Sequence, residues 1–238
     1  MNLLTDLQFL ARRALLGRLV LRRGLPAVRS SFEQRDECTY YTMLIRAALP
    51  QHRCLDIGRV VDIGCRNWAY APAIAACFPA ADLVGIEVDG YRRYWNMYRR
   101  IDYARAQAAA LPRPAQVVLG DFRDHWPAPP VAGATLLCFF FPFLTPTPCA
   151  RWGLPHRFAD YASLIKHGMR CTAAARTVWL CVHQGDREAN LARRMYRDLG
   201  LSMRAVKLRP ESWKDIKDRD LERERTAPPG QEVRKWEY

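Results

Sequence analysis

The chain has 238 residues, half of them hydrophobic, and a formal net charge of +13. That length supports one sizeable core, with two domains allowed but not required. The longest apolar run, Leu136 to Leu144, is too short to cross a bilayer, and the first residues lack the pattern of a secretory signal.

The eight cysteines stand at 38, 54, 65, 77, 138, 149, 171 and 181. None forms a Cys-x-x-Cys pair, and His52 is only two residues from Cys54, so no metal site is expected. Several lie inside apolar strand-like runs, which suits buried thiols in a reducing compartment and a cytoplasmic location. The arginine-rich charge favours RNA or another anionic partner, or an anionic membrane surface. It is equally compatible with a merely Arg-rich composition.

In chain order, residues 3–21 carry Leu3, Leu4, Leu7, Leu10, Ala11, Ala14 and Leu15 at helical spacing, interleaved with arginines. This predicts a basic amphipathic helical extension over 1–35, packed on its own domain or making peripheral membrane contact through residues 1–30. The remainder, 36–238, alternates. Helices are expected at 38–49, 72–78, 91–110, 157–171 and 187–199. Strands are expected at 59–64, 82–88, 116–120, 134–141, 176–183 and 202–208, with an antiparallel edge strand near Trp236. Near-continuous apolar strands between amphipathic helices describe an α/β, doubly wound, mostly parallel sheet with helices on both faces.

Ligands of such sheets bind beyond the carboxyl ends of the strands, where the strand order reverses. Three successive strands end in suitable chemistry. The first ends in Asp62-Ile63-Gly64-Cys65, followed by Arg66, Asn67 and Trp68. The second carries Glu87 and Val88, about 25 residues after Asp62, the offset at which a carboxylate can bond ribose hydroxyls. The third ends at Asp121 and Phe122.

These motifs resemble those of the class I S-adenosylmethionine-dependent methyltransferases over roughly residues 55–210. The resemblance implies a Rossmann-like, seven-stranded sheet, S-adenosyl-L-methionine as cofactor, and methyl transfer to an unknown acceptor, RNA or a small molecule. It assigns Asp62 and Gly64 to the methionine side, Glu87 to the ribose, and Asp121 with Phe122 to the adenine. Cys65, Arg66, Asn67 and Val88 adjoin these motifs as further expected cofactor contacts, with Arg66 reaching the cofactor carboxylate and Phe140 at the methyl end. The family's loop carries three alternating glycines, whereas this chain keeps only Gly64. Asn67 is the expected left-handed substitute, since asparagine tolerates that region.

Residues 139–158 follow the fourth strand and supply Phe141, Pro142, Phe143 and Trp152 as an expected acceptor wall and lid. His183, ending the fifth strand, is a candidate general base, with His156 and Asp160 weaker ones. Tyr91, Tyr94, Trp95 and Tyr98 read as a helical stripe, with Arg92, Arg93, Arg99 and Arg100 as a solvated face or phosphate track. The competing reading is a non-catalytic nucleotide-fold module that binds RNA or an anionic membrane surface.

Overall fold

The computed structural model describes residues 3–16, 32–50, 55–94, 97–113, 115–126, 132–172 and 176–206. Five strands form one parallel sheet in the order β3-β2-β1-β4-β5: β1 Ile57–Ile63, β2 Asp82–Glu87, β3 Ala115–Leu119, β4 Ala134–Phe140 and β5 Thr177–Val182. The strand order reverses between β1 and β4, which defines the sheet as doubly wound.

The helices are α1 Leu3–Ala11, α2 Phe32–Ala48, α3 Ala71–Cys77, α4 Arg100–Ala109, α5 Pro146–Arg151, α6 Tyr161–Thr172 and α7 Gly185–Asp198. Strand alternation divides them between two faces. Val61, Val84, Ile86, Leu137 and Phe139 point to one face, where Tyr161 and Ile165 of α6 and Ala192 and Tyr196 of α7 complete a buried cluster. The alternate positions point the other way, toward α2 and α3, which pack on each other while α4 packs on β3. On that side Tyr41 of α2 stacks on Tyr70 at 3.7 Å between ring centroids, and both meet Phe140 edge-on.

Three expectations change. The sheet has five strands among the described residues rather than seven. No strand forms over residues 202–206 of the expected 202–208, and residues 207 and 208 lie outside the described residues; Leu201 and Met203 pack on the core while Ser202, Arg204, Ala205 and Val206 are exposed. The strand expected near Trp236 lies outside the described residues.

Next, the helix expected from residue 91 begins at Arg100. Met97 takes a positive φ of 70°, Arg93 and Arg99 form an isolated bridge, and Asp102 accepts the Arg99 backbone N–H at 2.9 Å, which starts the helix there. Tyr91, Tyr94 and Tyr98 therefore lie on a looped segment and not on a helical stripe; Trp95 is outside the described residues. The neighbouring arginines are not a free cationic track, because Arg92 pairs with Asp89, Arg99 with Asp102, and Arg100 with Glu87 and Asp89.

Finally, residue 35 falls inside α2, while the compact unit extends from residue 1 to 203, with residues 204–238 grouped separately. Phe9 of α1 is buried among Cys149, Leu154, Ala159 and Phe158. The first helix is thus built into the wall of this unit.

Gly85 lies where β2 passes beneath the loop after β1. A Cβ there would meet the Cys65 sulfur at 2.9 Å and the Trp68 ring at 3.2 Å. Gly85→Ala is expected to destabilise the fold by about 1–3 kcal/mol through overpacking, measured by urea unfolding.

Candidate functional site

A cavity of about 290 Å³ opens at the carboxyl ends of the strands, on the β1/β4 reversal. Its walls come from the end of every strand: Gly64, Glu87 with Val88, Asp121 with Phe122, Phe140 to Phe143, and Gln184 with Glu188. Tyr41, Arg66, Arg100, Trp152, Leu154 and Phe158 complete it. Of the residues expected from sequence, Asp62, Cys65, Asn67 and His183 do not line this cavity.

The loop after β1 takes the left-handed conformation at alternate positions: Gly64 at φ 82°, Arg66 at 55° and Trp68 at 53°. These are the positions at which the resembled motif has glycine. Asn67, expected to provide the left-handed residue, does not; Arg66 and Trp68 do. Each non-glycine residue in that region costs roughly 1–2 kcal/mol, and such strain persists only where surrounding contacts hold it.

Those contacts are visible. The Gly64 N–H donates to the Ile86 carbonyl at 2.8 Å, and the Arg66 N–H donates to Glu87 Oε2 at 2.7 Å. Arg66 also pairs with Glu37 at 3.2 Å, with its guanidinium over the Tyr70 ring. Trp68 is fully buried, and its indole N–H donates to Asp62 Oδ2 at 2.8 Å. Asp62 therefore supports the loop from below and does not face the cavity. Among the described residues its buried Oδ1 has no hydrogen-bond partner, although the Tyr70 hydroxyl lies near enough to favour the ionised carboxylate. Burial lifts the Asp62 carboxyl to about 7, against the opposing influence of Tyr70 and Trp68.

Glu87 caps β2 from within the protein. Its carboxylate accepts the Arg66 and Asp89 N–H groups at 2.7 and 2.6 Å, with Arg100 Nη1 3.7 Å away. Burial raises its pKa, while Arg100 and the two N–H groups oppose that. Two of about four acceptor positions remain for a ligand. The Arg100 guanidinium also lies under the Trp152 ring, at 5.7 Å, as does that of Arg92, which donates to the Trp152 carbonyl. Trp152, 42% exposed, thus sits on a cationic shelf that leads to Glu87.

Asp121 lines the cavity with its oxygens engaged by Arg123: the N–H at 2.9 Å, Nε at 3.0 Å and Nη2 at 2.6 Å. Burial works against ionisation, but the Arg123 bonds and charge prevail and hold the carboxyl low. Phe122 beside it is buried, edge-on to Phe139.

His183 is engaged by neighbouring tyrosines and does not line the cavity. Its Nε2 meets the Tyr196 hydroxyl at 2.7 Å, and that hydroxyl meets the Tyr161 hydroxyl at 2.7 Å. Burial depresses the imidazole to about 4, leaving it neutral near pH 7. His156 and Asp160 are exposed and outside the cavity lining; Asp160 accepts the Ser163 N–H at 3.0 Å. Among the described residues, no group of acidic, histidine or cysteine side chains is arranged to hold a metal.

Sequence reasoning read Arg100 only as part of a solvated face or phosphate track, and missed Tyr41, Gln184 and Glu188. The last two had an available signal, since they flank the start of the helix that follows β5, as carboxyl-end ligand groups do. Tyr41 and Arg100 had none, because both arrive from helices that packing alone brings to the site.

No family model matches the chain, and no curated protein matches it. Among solved structures, it is similar to a methyltransferase from Pyrococcus furiosus (13% identity, TM-score 0.46, covering 86% of this chain and 91% of that one). It is also similar to the hMettl16 catalytic domain in complex with the MAT2A 3′UTR hairpin 6 (14%, 0.43, 83% and 73%). A third is a putative RNA methyltransferase from Pyrococcus horikoshii (12%, 0.39, 81% and 79%). These scores are too low to carry an argument about activity.

Two buried groups give opposing pH signatures. Unfolded Asp62 ionises in the usual carboxylate range, whereas the folded group keeps its proton to about pH 7, so its contribution to stability falls as pH rises from about 4 to about 7. His183 acts oppositely, losing stability as pH falls from about 6.5 toward about 4. The stability of Asp62→Asn relative to the unmutated protein is therefore expected to increase between pH 4 and pH 7. A pH-independent difference in chemical denaturation overturns the assignment.

Proposed function

We propose that the protein is an S-adenosyl-L-methionine-dependent methyltransferase. The observation that carries this reading is the loop after β1. It adopts a left-handed φ at residues 64, 66 and 68, although two of the three are not glycine, and it leads into a cavity beside buried Glu87. Conformational strain retained at a cavity on the strand reversal is what a ligand-cradling loop requires.

The side chains suit the cofactor in most respects. Glu87 has free acceptor positions for a ribose diol, Val88 and Phe122 offer apolar surface for an adenine, and Arg66 offers a cation for a carboxylate. Asp121 fits less well, since Arg123 already occupies it. When bound, the cofactor supplies an electrophilic methyl group on a sulfonium. Tyr41, Phe140, Phe141, Phe143 and Trp152 surround the far end of the cavity with aromatic faces, which favour a cation and keep out water. Gln184 and Glu188 give the acceptor a polar edge to orient against. The pairing of His183 with Tyr196 outside the cavity lining disfavours it as a base, and an acceptor with a free lone pair needs none.

The acceptor is RNA or a small molecule, with the charge of +13 favouring an anionic one. The Arg123 fork on Asp121 favours the second reading, a nucleotide-fold module without catalysis.

Calorimetry with S-adenosylhomocysteine tests the proposal. Binding is expected in the unmutated protein, and Glu87→Ala is expected to weaken it by about 1.5–3 kcal/mol, the scale of hydrogen bonds to a charged group. Absence of binding rejects the reading. Trp152→Ala is expected to reduce methyl transfer to fractionated cell extract far more than it reduces cofactor affinity. Equal losses would move Trp152 from the acceptor wall to the cofactor side.

A further inference from the structure

The first helix is amphipathic in an unusual sense, because both of its sides are apolar. On one side Phe9 is buried against Phe158, Leu154, Cys149 and Ala159, and Asp6 pairs with Arg157 at 3.2 Å. These contacts fix how the helix is rotated. On the side they leave outward, Leu4, Leu7 and Leu10 recur at three-residue spacing and are 63%, 54% and 51% exposed. Leu15, in the π-helical turn Arg12–Leu16, is 69% exposed. These four are more than half of the large exposed hydrophobic residues described in the chain.

A single exposed leucine needs no explanation, but a row of them on a docked helix does. The charge indicates what covers it. In the sequence, residues 1–30 hold six arginines against one acid, Asp6, and the whole chain is at +13. Arg13, one turn from Leu10, is exposed. Leucines flanked by cations match the boundary between acyl chains and anionic headgroups, where apolar burial and electrostatic attraction add. An RNA would match the cations but leave the leucines in water.

We propose that α1 docks the protein on an anionic bilayer surface, with Leu4, Leu7 and Leu10 inserted below the headgroups. The helix is not long and apolar enough to cross a bilayer, so the contact is peripheral. Leu154 and Phe158, which receive Phe9, also line the cavity. Docking therefore brings the cavity wall formed by Leu154 and Phe158 toward the lipid–water boundary. The proposal goes beyond methyl transfer and does not depend on it.

The test is flotation of the full chain with vesicles of phosphatidylglycerol and phosphatidylcholine, against vesicles of phosphatidylcholine alone. Binding to the anionic vesicles is expected, falling steeply as salt rises from about 0.1 M to about 1 M and the Debye length shrinks from about 10 Å to about 3 Å. L4S/L7S/L10S is expected to lower partitioning at least about tenfold, with unchanged cofactor binding and thermal unfolding. If the triple variant fails to fold, Arg13→Glu, which alters an exposed side chain, serves instead and is expected to lower partitioning several-fold. Equal binding to neutral vesicles, or no binding to either, overturns the proposal. So does a dimer in light scattering that the triple variant dissociates, which would make a second copy the occupant. Binding of an unstructured RNA without vesicle binding overturns it as well.

Discussion

The structure depends on how one indole is accommodated. Trp68 lies under the loop that follows β1, in a slot that exists because Gly85 in the neighbouring strand has no side chain. Its N–H donates to Asp62 at 2.8 Å. Burying an aromatic side chain contributes about 1.5–3 kcal/mol, and that offsets a left-handed φ costing roughly 1–2 kcal/mol. A glycine at 68 would reach the same φ without cost, but would leave the slot empty and the Asp62 oxygen unbonded. The chain thus exchanges conformational ease for packing. With Trp68 in place, the loop conformation is set, and the Arg66 N–H is aimed at Glu87.

From Glu87 the organisation continues as electrostatics. A carboxylate this deeply buried needs compensation, and it receives two backbone N–H groups and the nearby Arg100. Arg100 is shared between Glu87, Asp89 and the face of Trp152. The strand-end acid and the outermost aromatic wall are therefore linked through one guanidinium. Trp152 is held to the site by this contact and by Arg92, although it belongs to a separate loop.

That loop is itself held from behind. Phe141 leaves β4 with a left-handed φ of 54°, turning the chain across the cavity mouth. The returning segment, through Leu154 and Phe158, is covered by Phe9 of the first helix. The cavity therefore has two kinds of wall. Strand ends and backbone N–H groups form the inner one. Aromatic rings backed by arginines and by α1 form the outer one.

The strands were legible in the sequence as short apolar runs and most helices as periodic apolar faces, and both are local properties of the chain. Val60 to Ile63, Leu83 to Ile86 and Leu136 to Phe140 are short, mostly apolar runs whose length favours a strand over a helix. The order of Gly64, Glu87 and Asp121 at successive strand ends was legible for the same reason, since the end of an apolar run is visible in the chain. Tertiary contacts decided the rest. Arg66 and Trp68, rather than Asn67, take the left-handed φ because burial of the indole and the bond to Glu87 outweigh intrinsic preference. Asp62 and His183 carry the residue types of a site but do not line the cavity, buried Asp62 being bonded to Trp68 and half-buried His183 to Tyr196. Arg92, Arg99 and Arg100 read as a cationic face only while their acids are unseen. Nothing local in the sequence brings Tyr41 to the cavity wall or Phe9 behind it, because each arrives on a helix whose position is set by what it packs against.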